Sequence, residues 1–322
     1  MTLDQRDTPG RKAGESQSKP LPGFKIEAKR GDIEHWSYRD DQLTMFGWLR
    51  RPEGPGPFPA ILISHGGTSA PALFFDTKSK EMVKWGFVCL GPVYTHGHVG
   101  KDPGVRVADL FPGARDFSEV QQGTPHGRKS SPGVSEENIA RGSKCVEILA
   151  SLPYVDARRI CAYGNSRGAM LTAGLAAAIP NKLAAVAMSA GGVFDEAHPY
   201  KLGGMITTDR AQAIRSPFLM VHGGNDETVG PLHSELLKNV LDPIRVPNER
   251  HVFLGEPHGV HKQRPEEVFR LLRDFFTRCG VLPGSGKVLE KLAAGIPTIV
   301  HPAIQPGAAQ AKGKKNSSQE SD

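Results

Sequence analysis

One pentapeptide, Gly164–Gly168 with the sequence Gly-Asn-Ser-Arg-Gly, constrains the fold of this chain more than any other segment. It follows the apolar run Ile160–Tyr163, which is typical of a buried strand, and precedes Ala169–Ala178, whose small residues favour a helix. The two glycines allow a sharp turn and leave room for neighbouring backbone. The pattern predicts a strand–turn–helix unit with the Ser166 hydroxyl exposed at the turn, beside helix N–H groups that can face an anion.

A serine hydroxyl is a weak nucleophile at neutral pH, so it needs a base, and the base needs a carboxylate to orient it. In strand–turn–helix serine sites the chain order is serine, then aspartate or glutamate, then histidine. Asp226 follows the apolar strand Pro217–His222. His258 lies in a turn after the strand His251–Leu254. Ligand sites of open α/β sheets collect at such strand ends. We therefore predict a catalytic trio of Ser166, Asp226 and His258.

Other interpretations of the same residues stay open in the sequence. Glu227 is a rival for the acid, and Asp226 also suits the N-cap of a predicted helix over Pro231–Leu241. His258 is one of twelve histidines, a residue type that is mostly structural or superficial. We prefer Asp226 because His-Gly-x-x-Asp-x-x-Val is a recurring arrangement, and we expect Glu227 to point elsewhere.

Four motifs together resemble α/β-hydrolases of the dienelactone-hydrolase and prolyl-oligopeptidase-like group. In chain order they are His65-Gly66-Gly67, the Asp156–Ile160 lead-in to Gly164–Gly168, His222–Val229, and Gly255–Gly259. The resemblance covers about residues 33–280. It implies an α/β fold with a mostly parallel central sheet, helices on both faces and a Ser-Asp-His triad. Dienelactone hydrolases proper use a cysteine nucleophile, whereas this chain has Ser166, so a lactone substrate does not follow from the resemblance.

The resemblance also implies where a developing oxyanion is held. His65-Gly66-Gly67 directly follows a predicted strand, where this fold places one backbone donor; the second is on the residue after the nucleophile. We predict the backbone N–H groups of Gly67 and Arg167 as the donors, with Thr68 as the alternative to Gly67. The other interpretation of His65-Gly66-Gly67 is a tight turn without a catalytic role.

The composition indicates a soluble globular protein. Of 322 residues 38% are hydrophobic, and no apolar run approaches the roughly 20 residues that span a bilayer. The N-terminal segment lacks the apolar core of a secretory signal. The four cysteines have no regular spacing, as expected for buried thiols in a reducing compartment. We therefore predict a cytoplasmic protein without membrane contact.

The formal net charge of +6 does not by itself indicate a nucleic-acid partner. No helix carries a basic stripe, and basic and aromatic residues are not interleaved, so we predict no nucleic-acid binding. His96-Gly97-His98 has metal-ligand spacing, but no third histidine is near and Asp102 is the only close carboxylate. We predict loop histidines there, with no metal and no cofactor. The oligomeric state stays open.

Strands alternate with helices along the chain, which indicates one α/β-hydrolase domain over residues 23–280. A hairpin of Ile33–Tyr38 and Leu43–Arg50 supplies the antiparallel N-terminal edge, and residues 91–134 form a long loop that we expect to wall the site. The other predicted segments are a disordered tail over 1–22, a C-terminal extension over 281–305 with a short helix near Lys287–Ala294, and a disordered tail over 306–322.

These features predict a serine hydrolase that cleaves a small carboxylic ester through an acyl-enzyme. The alternatives are an amidase or peptidase acting on small peptides, an acyltransferase, and, outside enzymes, an inactive binding scaffold. The stretch before residue 33 is too short for the propeller that screens substrates in the resembling peptidases. The connection from Ala190 to Ser216 is too short for a bulky helical cap, so we expect an open site that favours short acyl groups.

Overall fold

The computed structural model describes residues 19–67, 70–96, 136–199, 204–284 and 292–304. Ten strands lie within these ranges: β1 Phe24–Arg30, β2 Ile33–Arg39, β3 Thr44–Arg50, β4 Phe58–Ser64, β5 Val88–Pro92, β6 Val155–Asn165, β7 Ala185–Ser189, β8 Phe218–Gly223, β9 Asn248–Phe253 and β10 Ile299–His301. The helices described are α1 Pro71–Met82, α2 Glu136–Ser151, α3 Arg167–Ala178, α4 Thr208–Ala211, α5 Leu232–Leu241, α6 Val260–Gln263 and α7 Pro265–Arg278.

All ten strands belong to one sheet, in the order β1-β2-β3-β5-β4-β6-β7-β8-β9-β10. The strands from β5 to β10 pair in parallel, whereas β1, β2 and β3 are antiparallel to their neighbours. The predicted α/β-hydrolase fold, a mostly parallel sheet with an antiparallel N-terminal edge and helices on both faces, is confirmed.

The central strands are apolar on both sides because each side packs against helices. In β4, for example, Ala60 and Leu62 belong to one core, and Ile61 and Ile63 to the other. Helices α2, α3, α4 and α5 cover the first face, and α1, α6 and α7 cover the second. This alternation within single strands is why they read as continuous apolar runs in the sequence.

Both edges of the sheet extend further than predicted. Phe24–Arg30 adds an antiparallel strand beyond the expected hairpin. At the opposite edge Ile299–His301 pairs in parallel with β9, so part of the segment predicted as a C-terminal extension belongs to the sheet. The physical reason is that an unpaired β9 would leave a row of backbone donors and acceptors open. Residues 285–291, which hold most of the predicted helix near Lys287–Ala294, lie outside the described residues, as do 1–18, 97–135 and 305–322.

The parallel strands fix where functional loops meet. Because β4, β6, β8 and β9 run in the same direction, the segments that follow them emerge at one edge of the sheet. Gly67, Ser166, Asp226 and His258 all lie on such segments. Among the described helices, none is long and apolar enough to cross a membrane.

Candidate active site

Ser166 lies at the one-residue turn between β6, which ends at Asn165, and α3, which begins at Arg167. Its φ of 55° falls in the left-handed region, which a residue with a side chain rarely adopts. The Ser166 N–H donates to the Ser189 carbonyl at 3.0 Å, which ties the turn to the neighbouring strand β7. The strained backbone directs the side chain out of the turn, as expected for a nucleophile elbow.

The two motif glycines are required by close backbone approach. A Cβ at Gly164 would clash with the Gly168 carbonyl and lie 2.5 Å from Thr172 Oγ1. A Cβ at Gly168 would clash with the Ser64 carbonyl and lie 2.6 Å from the His65 carbonyl oxygen. The contacts of Gly168 show that the start of α3 packs directly against the end of β4. Any larger residue at position 168 would push the elbow away from its neighbours.

Asp226 lies on the loop after β8, and its side chain is buried. Its Oδ1 accepts the backbone N–H of Thr228 at 3.0 Å and that of Val229 at 2.8 Å. His222 Nε2 lies 3.3 Å from Oδ2 and 2.8 Å from the Val229 carbonyl oxygen. Burial alone would raise the pKa of Asp226, but the hydrogen bonds from His222, His258 and the Val229 N–H hold it well below its usual range. The carboxylate is therefore charged at neutral pH.

His258 connects the acid to the serine. Its Nδ1 lies 2.8 Å from Asp226 Oδ2 and 3.0 Å from Oδ1. Its Nε2 lies 2.8 Å from Ser166 Oγ. The imidazole side chain is 28% exposed, whereas the Asp226 side chain is fully buried, so the serine end of the chain of hydrogen bonds faces the outside. The three predicted residues thus form one continuous hydrogen-bonded chain.

The structure contradicts both alternative roles, Glu227 as the acid and Asp226 as a helix cap. Glu227 is exposed, whereas Asp226 contacts His258. Helix α5 begins at Leu232 with Pro231 at its N-cap and no side-chain cap, so Asp226 does not cap it.

The segment that carries the predicted oxyanion donor Gly67 lies beside the elbow. A Cβ at Gly66 would be 3.4 Å from Ser166 Cβ, and one at Gly67 would be 2.7 Å from Arg167 Cδ, so the segment after β4 runs along the elbow. Arg167 is the first residue of α3, where the backbone N–H has no acceptor within the helix. Thr68 lies outside the described residues.

Sequence reasoning missed a link between the elbow and the histidine loop. Asn165 Nδ2 lies 3.0 Å from His261 Nδ1 and 3.2 Å from the Ser189 carbonyl oxygen. His261 is buried in the short helix α6 that follows His258. Burial, and then the nearby Lys78, Lys262 and His258, lower the pKa of His261 to about 3, so its ring is neutral. The contact joins residues far apart in the chain, and the only local signal was the position of His261 three residues after His258.

The predicted loop histidine His96 is buried, with Nε2 3.2 Å from the His65 carbonyl oxygen. Gly97 and His98 lie outside the described residues. In the described part of the chain no group of three or more histidine, cysteine or carboxylate side chains is arranged to hold a metal ion.

None of the four cysteines can take over the role of a nucleophile at the elbow. All are free thiols, and burial raises the pKa of Cys89, Cys145 and Cys161 and raises that of Cys279 to about 12. Since the thiolate is the reactive form, the raised pKa values disfavour these thiols as nucleophiles.

Comparison with known proteins places the chain in a family. The model of the dienelactone hydrolase family matches residues 45–273, and the chain belongs to that family of hydrolases. The uncharacterized peptidase YtmA of Bacillus subtilis is 25% identical over 259 residues, which cover 73% of this chain and 89% of that protein.

Solved structures show the same fold at low identity. Dipeptidyl peptidase 4 of Porphyromonas gingivalis has a TM-score of 0.57 at 17% identity, over 76% of this chain and 35% of that chain. Esterase 2 of Thermogutta terrifontis has a TM-score of 0.55 at 17% identity, over 82% of this chain and 97% of that chain. The chain thus spans about a third of the length of the dipeptidyl peptidase and nearly all of the esterase.

Proposed function

We propose that this protein is a serine hydrolase that cleaves a small carboxylic ester through an acyl-enzyme. The observation that carries the proposal is the unbroken hydrogen-bonded chain from Ser166 Oγ through the His258 ring to the Asp226 carboxylate. A positioned base in contact with a hydroxyl, with a buried carboxylate behind it, is the arrangement that activates serine.

The reaction follows from the positions of these atoms. Ser166 Oγ attacks the ester carbonyl carbon while its proton passes to His258 Nε2. The tetrahedral intermediate then expels the alcohol oxygen, which takes the proton from Nε2, and the acyl group remains on Oγ. A water molecule gives its proton to the same nitrogen and attacks the acyl-enzyme, and Ser166 leaves with that proton.

The Asp226 carboxylate has two parts in this scheme. It holds the ring so that Nδ1 carries the proton and Nε2 is free to accept, and it stabilises the imidazolium that forms. The backbone donors from Thr228 and Val229 fix the carboxylate itself.

The backbone N–H groups of Gly67 and Arg167 are the proposed donors to the oxyanion. The adjacency of the segment after β4 to the elbow supports this assignment. Preorganised donors of this kind contribute roughly 3–4 kcal/mol each to stabilisation of the transition state.

An amidase or peptidase acting on small peptides is the second candidate. The similarity to a Bacillus subtilis protein named as a peptidase favours it, since that match covers most of both chains. The same triad serves either reaction, because His258 gives its proton to the leaving group in both, to the alcohol oxygen of an ester or to the nitrogen of an amide.

Two experiments test the proposal. A fluorophosphonate probe should add one adduct, mapped by peptide mass to Ser166; an unlabelled protein would indicate an inactive scaffold.

A panel of nitrophenyl esters of graded acyl length beside aminoacyl-nitroanilides should show highest kcat/KM for short esters. Preference for the anilides would favour the peptidase, and preference for long acyl chains would contradict the open site.

Asp226→Asn and Glu227→Gln form a matched pair for the acid. Asp226→Asn should lower kcat by about 10³–10⁴-fold, because the amide favours the wrong tautomer of His258. Glu227→Gln should keep nearly full activity, since Glu227 is exposed. Equal losses in the two variants would show that the acid is assigned wrongly.

A further inference from the structure

A groove of about 570 Å³ lies between α1 and the α6–α7 corner, on the side of the sheet away from α3. Its lining is mostly apolar with three basic side chains, and consists of Ala70, Leu73, Phe74, Thr77, Lys78, His261, Lys262, Pro265 and Phe269. The volume suits a small organic ligand. Ser166, Asp226 and His258 do not line it, so it is separate from the triad.

The groove contains a buried cation that lacks a counterion. Lys78 is 3% exposed and forms no ion pair with any described carboxylate. The other buried lysines and arginines of the described chain all have carboxylate partners; they are Arg50, Arg141, Lys238, Arg250 and Arg264. Buried charges are normally paired, so an unpaired lysine that lines a cavity favours an anionic ligand for that cavity.

Two aromatic rings flank this cation. The Lys78 Nζ lies 4.8 Å from the ring centroid of Phe269 and 5.9 Å from that of Phe74. Ring faces attract a cation but do not neutralise it. Burial, and then repulsion from Lys262, lower the pKa of Lys78 to about 8, so a nearby negative charge would favour its charged form.

His261 is a second buried polar group in the lining of the groove. It is 4% exposed, and its Nε2 has no hydrogen-bond partner in the described chain, while Nδ1 is occupied by Asn165. With Nδ1 accepting from the Asn165 amide, Nε2 carries the proton and is a donor. The groove therefore offers the ammonium groups of Lys78 and Lys262 beside apolar walls, with the His261 ring in its lining.

We propose that the groove binds a small amphipathic carboxylate, such as an aryl-substituted or short aliphatic acid. Its carboxylate lies at Lys78, with Lys262 at the mouth. Its apolar part lies along Leu73, which is 62% exposed at the rim of an otherwise apolar wall. This site goes beyond the proposed hydrolase chemistry and does not depend on it.

The test is calorimetric titration of the full chain with 4-phenylbutyrate, with 4-phenylbutanol as the uncharged analogue. The acid should bind saturably, and the alcohol at least about ten-fold more weakly. The Ser166→Ala variant should bind the acid as the wild type does, which separates this site from the triad whatever the role of Ser166. Absence of saturable binding in the millimolar range would overturn the proposal.

Two methionine variants locate the binding. Lys78→Met should weaken 4-phenylbutyrate at least about ten-fold, whereas Lys84→Met, at an exposed lysine just beyond the same helix, should leave it unchanged. Lys78→Met should fold, because it replaces an unpaired buried ammonium with an apolar chain of similar length. The acid should raise the Tm of the wild type but not of Lys78→Met. Equal binding by Lys78→Met and wild type would contradict the assignment.

Discussion

At the scale of single residues, Ser166, the proposed nucleophile, has a strained backbone. Its φ of 55° and ψ of −121° lie where essentially only glycine is comfortable, a conformation that costs about 1–3 kcal/mol. Two features hold Ser166 in this conformation: its hydrogen bond to the Ser189 carbonyl, and the close packing of backbone around Gly164 and Gly168. The strain is the local consequence of turning directly from a strand into a helix.

Substitutions at Ser166 should separate strain from chemistry. Ser166→Ala and Ser166→Gly both remove Oγ, so each should lower kcat by more than about 100-fold. Only glycine adopts a positive φ without strain. The Tm of Ser166→Gly should therefore equal or exceed that of Ser166→Ala. A clearly lower Tm for the glycine variant would show that the elbow stores no strain at this residue.

At the scale of elements, the site depends on how tightly α3 begins against β4. Gly168→Ala places a methyl group against the carbonyl oxygens of Ser64 and His65, and backbone cannot yield as a flexible side chain does. Gly230→Ala is the matched control, since its Cβ meets nothing within 4 Å.

The expected result is a clear contrast between these two alanines. Gly168→Ala should lose several degrees of Tm and most of its hydrolase activity, because the elbow moves relative to His65, Gly66 and Gly67. Gly230→Ala should match the wild type in both measurements. Similar behaviour of the two variants would mean that the close packing of α3 on β4 does not position the site.

The elements that could be predicted from the sequence are those with a local signal. Central strands such as β4 and β6 are unbroken apolar runs, and the triad residues follow strands in a set order. The edge strands carry no such signal: β1 alternates charged residues and is mostly exposed, and β10 has only three residues. The Asn165–His261 contact and the unpaired Lys78 depend on the packing of distant segments, so the sequence alone does not predict them.

At the scale of the whole molecule, β10 closes one edge of the sheet. The Leu254 N–H donates to the His301 carbonyl at 2.9 Å, and Arg264 Nη2 donates to the Pro302 carbonyl at 2.9 Å. The His301 ring stacks on Phe253 with centroids 4.1 Å apart. These contacts tie the segment after residue 292 to β9 and to the start of α7.

Truncation tests the importance of this edge. A chain ending after residue 304 should keep the wild-type Tm, because the contacts described for β10 all lie before that point. A chain ending after residue 284 should lose at least about 5 °C and aggregate more readily, since the β9 edge is then open. Equal Tm values for the two truncated chains would show that β10 does not stabilise the fold.

Buried histidines make the folded protein less stable in acid. Burial lowers the pKa of His35, His233, His261 and His301, and that of His261 falls from its ordinary 6.5 to about 3. The unfolded chain binds protons on these rings below about pH 6.5, whereas the folded chain resists protonation. The stability that these neutral rings contribute is therefore fully present above pH 6.5. It is lost as the pH falls below that value.

His261→Asn isolates the largest of these contributions. Asparagine Oδ1 can still accept from the Asn165 amide, but the proton uptake on unfolding disappears. Urea unfolding at a series of pH values should show the wild type losing free energy of unfolding steadily between pH 6.5 and 4.5. The slope of the variant should be shallower by about 1.4 kcal/mol per pH unit, the value for one proton. Above pH 7 both slopes should coincide, since the ring is neutral in both states. A variant that followed the wild-type slope below pH 6.5 would show that His261 is protonated in the folded protein, and the neutral link between α6 and the elbow would be ruled out.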